Sequence, residues 1–286
     1  MLEVEELKRS RLYRLRTSRH GNWLARLHEA DRHAEVLTLL ADHGYPCPRV
    51  LEASDGRRVV EVDGARYVVM EWIDGTAPWP EPDRLESMGH TLGLLHSLDI
   101  HGGVAEAGML PRSELGFFSA SLASVRAAVP RSQQGHLEAL EHACAGIDLL
   151  EDMPRHLLHG DAHPWNAIAG DDGQVRFIDW DSAGLGPPIV DLGFLLLTCL
   201  GGPFGRPVEA WNESRLRAAA RGYASARTLT AAERARLPAA AAFRPLVGAM
   251  AVFIGAVRHH QEVQQVWPWE RYQQADRVAE LALEIC

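Results

Sequence analysis

Six side chains able to move a proton or ligate a metal ion, His159, Asp161, His163, Asn166, Asp179 and Asp181, fall within 23 positions of the stretch HLLHGDAHPWNAIAGDDGQVRFIDWD, residues 156–181. Apolar runs frame them, and polar groups in buried surroundings are costly unless they bind something. Two chemistries use such a set. Phosphoryl transfer needs a carboxylate to orient and deprotonate an acceptor hydroxyl, and two oxygen ligands for a magnesium ion that keeps most of its waters. Asp161 suits the first role, Asn166 and Asp179 the second. Hydrolysis at zinc or manganese would instead take His159, Asp161 and His163 as three ligands on one face of a strand. Gly160 and Pro164 disfavour a strand there, and that reading leaves Asn166 and Asp179 without a role.

The surrounding pattern predicts how these groups are positioned. AIAG (167–170) and VRFIDW (175–180) read as strands joined at Asp171-Asp172-Gly173, a hairpin that returns Asp179 to the loop carrying Asp161 and Asn166. Upstream, LYRLRTS (12–18) and WLARLH (23–28) are strand candidates either side of a Gly21-Asn22 turn, and residues 57–73 read as a second hairpin turning at Asp63-Gly64. Between them, residues 29–44 place Ala34, Leu37, Leu40 and Ala41 at helical spacing, with Gly44 as the stop. DGTAPWPEP (74–82) is rich in Gly and Pro, and helical patterns dominate beyond it: 82–99, 113–129, 135–150, 189–200, 209–227, 230–262 and 269–285. The outline is α+β, with a small β-rich lobe over 1–73, a hinge over 74–82 and a larger, mainly helical lobe over 83–286. A cleft between two lobes is a natural ligand site.

Composition narrows the partners. Of 286 residues, 29 are basic and 38 acidic, a net charge of -9 that argues against a nucleic-acid partner. Cys47, Cys144, Cys199 and Cys286 are scattered, without the spacing of a disulfide framework or a zinc knuckle. The first ten residues lack the apolar core of a signal peptide. The run LVGAMAVFIGAV (246–257) is too short to span a bilayer and reads as a buried helix. The expectation is a reduced, cytoplasmic protein without a membrane partner, a monomer or homodimer. Lys8 is the single lysine, so a cation that grips phosphate here is expected to be Arg.

The spacing H-G-D-x-x-x-x-N followed by I-D-W resembles the catalytic and metal-binding segments of the aminoglycoside phosphotransferase family, relatives of the protein kinases. FIDWDSAGLGPPIVDLGFLL (177–196), GHTLGLLHSL (89–98) and RHAEVLTLLADHGYPCPRVL (32–51) extend the similarity over about residues 12–200. The resemblance implies a bilobal, protein-kinase-like fold that binds ATP, or GTP, with Mg2+. Asp161 would be the catalytic base, and Asn166 and Asp179 the metal ligands. Arg26 would stand at the place of the phosphate-holding strand Lys, with Glu35 as its helix partner; a guanidinium holds phosphate through fixed donors. Met70, Glu71, Trp72 and Ile73 would present backbone groups to the purine.

His159 and Asp191 read as braces of the catalytic loop, and Asp181 as a carboxylate beside the metal. His163, Trp165, Trp267 and Glu270 are candidates for an acceptor site. One departure stands out. The family's glycine-bearing phosphate loop is replaced by LKRSR (7–11), which transfers phosphate contact to Lys8, Ser10 or backbone amides and raises a nucleotide-binding regulator as a further reading. By resemblance the acceptor is a small hydroxyl-bearing molecule. It would be an antibiotic such as an aminoglycoside or, as the alternative, a metabolite such as choline, homoserine or a sugar.

Overall fold

The computed structural model describes residues 2–8, 11–18, 21–27, 32–100, 104–204, 206–208, 210–261 and 267–286, and the side chains of Lys8, Arg32 and Trp267 fall outside that description. Strands β1 (Leu2–Lys8), β2 (Leu12–Thr17) and β3 (Gly21–Leu27) form an antiparallel meander. After helix α1 (Arg32–Asp42), β4 (Val59–Val62) and β5 (Ala65–Glu71) complete a five-stranded sheet of order β1-β2-β3-β5-β4. Asp63 and Gly64 turn the last hairpin with φ of 52° and 76°, the doubly left-handed geometry whose twist matches the flanking strands. Sequence patterning marks strands at 12–18 and 23–28 but not β1. Glu6 breaks the Leu2-Glu3-Val4-Glu5 alternation after four residues, and pairing with the neighbouring strand sets β1, Arg16 reaching Glu3 at 3.3 Å and Glu5 at 2.8 Å.

Helix α1 buries Ala34, Val36, Leu37 and Leu40 in the same hydrophobic core as Val68 and Met70 of β5. The register Leu24↔Met70 and Arg26↔Val68 carries Arg26 along β3 beside β5.

Strand β6 (Gly75–Thr76), within the Gly- and Pro-rich stretch 74–82, leads to α2 (Pro82–His96), α3 (Pro111–Val125) and α4 (Gln134–Gly146). The short strands β7 (His156–Leu158), β8 (Ala167–Gly170), β9 (Val175–Phe177) and β10 (Gly184–Gly186) follow. Strand β8 pairs with β6 and β9, and β7 with β10. The strand expected to run to residue 180 ends at Phe177, because Asp179 turns left-handed at φ 65° and a 3₁₀ turn over Trp180–Ser182 begins. The remainder is α5 (Pro188–Gly201), α6 (Glu213–Ala226), α7 (Ala231–Arg258), α8 (Trp267–Tyr272) and α9 (Ala275–Leu283).

Asn212 caps α6 by accepting from the Ser214 and Arg215 N–H groups, which starts that helix later than the expected 209. The final helical pattern is broken between α8 and α9. Among the described residues α7 alone is long and apolar enough to cross a membrane. It lies instead against α3, α5, α8 and α9, with Phe243, Leu246, Met250 and Phe253 fully buried.

Candidate active site

Gly160 has φ +81°, and any Cβ there would collide with the Ser182 carbonyl. Glycine is therefore the residue that lets the chain turn sharply between His159 and Asp161. His159, fully buried, accepts the Asp161 N–H at its Nδ1 (3.2 Å) and donates from Nε2 to the Ile178 carbonyl (2.8 Å). Both ring nitrogens are thus engaged by backbone, which joins the loop to the residue before Asp179. The three-ligand reading of His159, Asp161 and His163 fails on this ground, and among the described residues no group of three His, Cys, Asp or Glu side chains is placed to hold a metal.

Asp191, in the first turn of α5, accepts the His159 N–H (2.7 Å) and the Gly160 N–H (3.0 Å), with His96 Nε2 at 3.4 Å. Burial alone would push its carboxyl up, yet these hydrogen bonds hold it below the usual carboxylate range. Burial also pushes His96 and His159 below the usual imidazole value, so both are neutral donors in the folded chain.

The loop delivers Asp161 with its side chain one third exposed. Asn166 Nδ2 donates to Asp161 Oδ2 (3.0 Å) and to its backbone carbonyl (3.1 Å), which turns the amide oxygen of Asn166 away from Asp161. The Ile178 N–H donates to the Asn166 carbonyl at 2.9 Å. The β8–β9 hairpin thereby sets Asp179 next to the loop carrying Asp161 and Asn166. The Asp179 carboxylate is 47% exposed and lines a cavity of ≈ 400 Å³. An amide oxygen and a half-exposed carboxylate are hard donors, few in number, and suit a hydrated divalent cation that takes its other ligands from phosphate and water.

That cavity lies under the sheet. Leu24, Met70, Ile168 and Ile178 supply apolar walls, Glu71, Trp72 and Ile73 its edge, and Arg26 and Asp179 its polar end. Arg26 Nη2 is 2.9 Å from Asp179 Oδ1 and also pairs with Asp181. The expected Arg26–Glu35 pair is not formed. Glu35 is exposed on α1, whereas His33, buried on the same helix, faces inward with Nδ1 3.2 Å from Asp181 Oδ1. The helix residue that reaches this group is thus His33, through Asp181, and not the Glu35 that the resemblance implied as the partner of Arg26.

At the edge, the Glu71 N–H bonds the Arg49 carbonyl (2.8 Å), and Arg14 stacks on Trp72 at 4.1 Å. Ser10 lies outside the described residues, as does the Lys8 side chain.

On the other side of Asp161, His163 Nε2 is 3.7 Å from Asp161 Oδ2, and its ring meets Trp165 at 5.9 Å and Phe194 at 5.7 Å. Trp165 in turn meets Trp79 at 5.3 Å. Glu270 is exposed on α8, and among the described residues no hydrogen bond or ion pair ties it to this group; the Trp267 side chain is outside them. Sequence reading missed Arg244 as well as His33. Arg244 Nη2 reaches Asp161 Oδ1 at 2.6 Å and the Gly160 carbonyl at 3.0 Å, out of the middle of α7. A charged residue inside an apolar helical run was the signal available.

Comparisons with known proteins bear on the family and the fold. The family model described as the phosphotransferase enzyme family matches residues 4–229. A homoserine kinase of Gluconacetobacter diazotrophicus is 30% identical over 223 residues, which cover 72% of this chain and 64% of that protein, so the chain spans just under two thirds of the relative's length. An aminoglycoside phosphotransferase of Alicyclobacillus acidocaldarius shares the fold with TM-score 0.64 and 16% identity, over 99% of this chain and 90% of that one. An amicoumacin kinase solved with AMP-PNP and Ca2+ does so with TM-score 0.62 and 16% identity, over 98% and 88%. Likeness at such identities is one of fold, the bilobal α+β architecture of these kinases.

Proposed function

The chain belongs to the phosphotransferase enzyme family, and on that premise we propose that it transfers the γ-phosphate of ATP to a hydroxyl of a small molecule. What carries the reading is one observation: Asp161 and Asn166 are hydrogen-bonded to each other, and Asp179 is brought beside them at the polar end of a ≈ 400 Å³ cavity edged by Glu71, Trp72 and Ile73. The purine would lie between Leu24, Met70 and Ile178, with Arg26 exchanging its carboxylate partners for phosphate oxygens. Asn166 Oδ1 and Asp179 would hold the divalent cation, Mg2+ by its preference for hard oxygens; bound there, it supplies charge neutralisation on the phosphate oxygens. Asp161 accepts the acceptor's proton as the new P–O bond forms and the bond to the β-phosphate oxygen breaks, releasing ADP. Positioning and electrostatics supply most of the rate.

For the acceptor, the homoserine kinase relative at 30% identity favours a small hydroxy amino acid of the homoserine type. The aminoglycoside reading is supported at the level of fold by enzymes near 16% identity and stands as the alternative. The test is ADP release with Mg-ATP or Mg-GTP against a panel of homoserine, choline, sugars and aminoglycosides, alongside melting temperature, which a ligand of the folded state raises. Asp161→Ala should abolish turnover and leave Mg-nucleotide binding intact. Loss of both together would mean that Asp161 holds the loop rather than the proton.

A further inference from the structure

Arg244 is 6% exposed and sits in the middle of α7, next to Pro245. A buried guanidinium is costly, and an apolar side chain of similar length often fills such a site with equal or better stability. Stability of the helix packing does not by itself call for an Arg here. Its contacts are specific: Nη2 meets Asp161 Oδ1 at 2.6 Å and the Gly160 carbonyl at 3.0 Å, and the group stacks over Phe194 at 4.8 Å. Both hydrogen bonds fall on the turn that carries the base.

The architecture behind these contacts is equally directed. At Gly193 of α5, a Cβ would stand 2.7 Å from Ala240 C and Ala241 N of α7, so only a glycine allows the two helices to approach this closely. Arg244 follows one turn later on α7, and Phe194, over which it lies, is the next residue on α5. The Gly193–Ala240 contact thus sets how far the guanidinium reaches into the catalytic loop. Gly160 is held from two sides, its N–H by Asp191 on α5 and its carbonyl by Arg244 on α7. Asp161 is held from two sides as well, Oδ1 by Arg244 and Oδ2 by Asn166.

Resting on the phosphotransferase reading above, we propose that Arg244 is the positioning residue of the catalytic base: it fixes the rotamer of Asp161 and offsets its charge where the carboxylate must face a polyanionic nucleotide. A carboxylate has about four lone-pair sites, so two grips leave room for the acceptor hydroxyl. Both hydrogen bonds come from one nitrogen, Nη2, of a planar group that lies over Phe194, and a shorter side chain ending in a tetrahedral ammonium has no such plane to hold its donors in place.

The experiment compares wild type, Arg244→Ala and Arg244→Lys, with the panel alcohol that wild type phosphorylates fastest as acceptor. Calorimetry with Mg-ADP reports nucleotide affinity and folding together. Arg244→Ala should lower kcat about 100-fold, the scale expected for misplacing a reacting group by an ångström, with Mg-ADP affinity unchanged. Added guanidinium chloride at millimolar concentration should recover part of kcat in Arg244→Ala and none in Asp161→Ala. Arg244→Lys should fall between, and it decides the matter if the alanine variant does not fold.

Wild-type kcat in Arg244→Lys, or in Arg244→Ala, overturns the assignment. So does a parallel fall of kcat and Mg-ADP affinity that guanidinium does not relieve, which would make Arg244 a structural group. If wild type phosphorylates nothing in the panel, the phosphotransferase reading falls first and this assignment with it.

Discussion

Arg26 is the residue on which the polar end of the cavity turns. Its guanidinium bridges Asp179 on one side and Asp181 on the other, while His33 holds Asp181 from α1. One cation thereby links the sheet to the segment expected to bind the metal. Charge-assisted hydrogen bonds of this kind contribute about 1.5–3 kcal/mol each. Arg26→Met is accordingly expected to weaken Mg-ATP binding by about tenfold or more, with a smaller effect on kcat once nucleotide is saturating. Isothermal titration set beside the kcat–KM split measures it, and an unchanged Kd would remove Arg26 from the phosphate site. Glu35→Ala, at an exposed position without a place in this bridge, should leave both parameters alone.

At the scale of elements, two helices and one hairpin make the site. The β8–β9 hairpin converts a sequence gap into proximity through the Ile178–Asn166 hydrogen bond, and α5 presents Asp191 to two consecutive backbone N–H groups. Behind Asp191 a buried chain of polar contacts runs through His96 and Tyr223 to Arg227 and Glu233, the residue whose carboxylate closes the capping box at the start of α7. Removing Asp191 leaves those N–H groups buried without an acceptor, and breaking a buried charged network costs about 3–5 kcal/mol. Asp191→Ala should therefore shift the urea midpoint down by a corresponding amount, and Asp191→Asn, which keeps one acceptor oxygen, by less. A wild-type midpoint in the alanine variant would show that the loop finds its turn without α5.

For the whole molecule, the same buried polar groups set the response to acid. Burial keeps His96 and His159 below the ordinary imidazole range, with Asp191 pulling them up without prevailing. The unfolded chain takes up protons at these histidines near pH 6.5, whereas the folded chain does not. Their contribution is therefore complete above that pH and is lost as pH falls through it. Asp191, held below the ordinary carboxylate value, adds a loss of the same sign at lower pH. The melting temperature is expected to fall between about pH 7.5 and about pH 5.5, and a flat profile across that interval would contradict the neutral assignment of the two histidines.

Much of the site was legible along the chain because its logic is local. Asp161 and Asn166 are ends of one short loop, and Asp179 returns by a hairpin whose Asp-Gly turn is written in the sequence. Backbone hydrogen bonding over so few residues leaves little freedom, so residue type and spacing carried the juxtaposition of Asp161, Asn166 and Asp179 and the α+β outline. The tertiary structure decided the rest. Arg26 meets Asp181 across 155 positions, His33 meets Asp181 across 148, and Arg244 meets Asp161 across 83. Spacing carries no information on such pairs, because sheet register and the close approach of α7 to α5 at Gly193 bring them together. Glu35 and His33 share one helix two residues apart, and only the way α1 docks on the core turned one to solvent and the other inward.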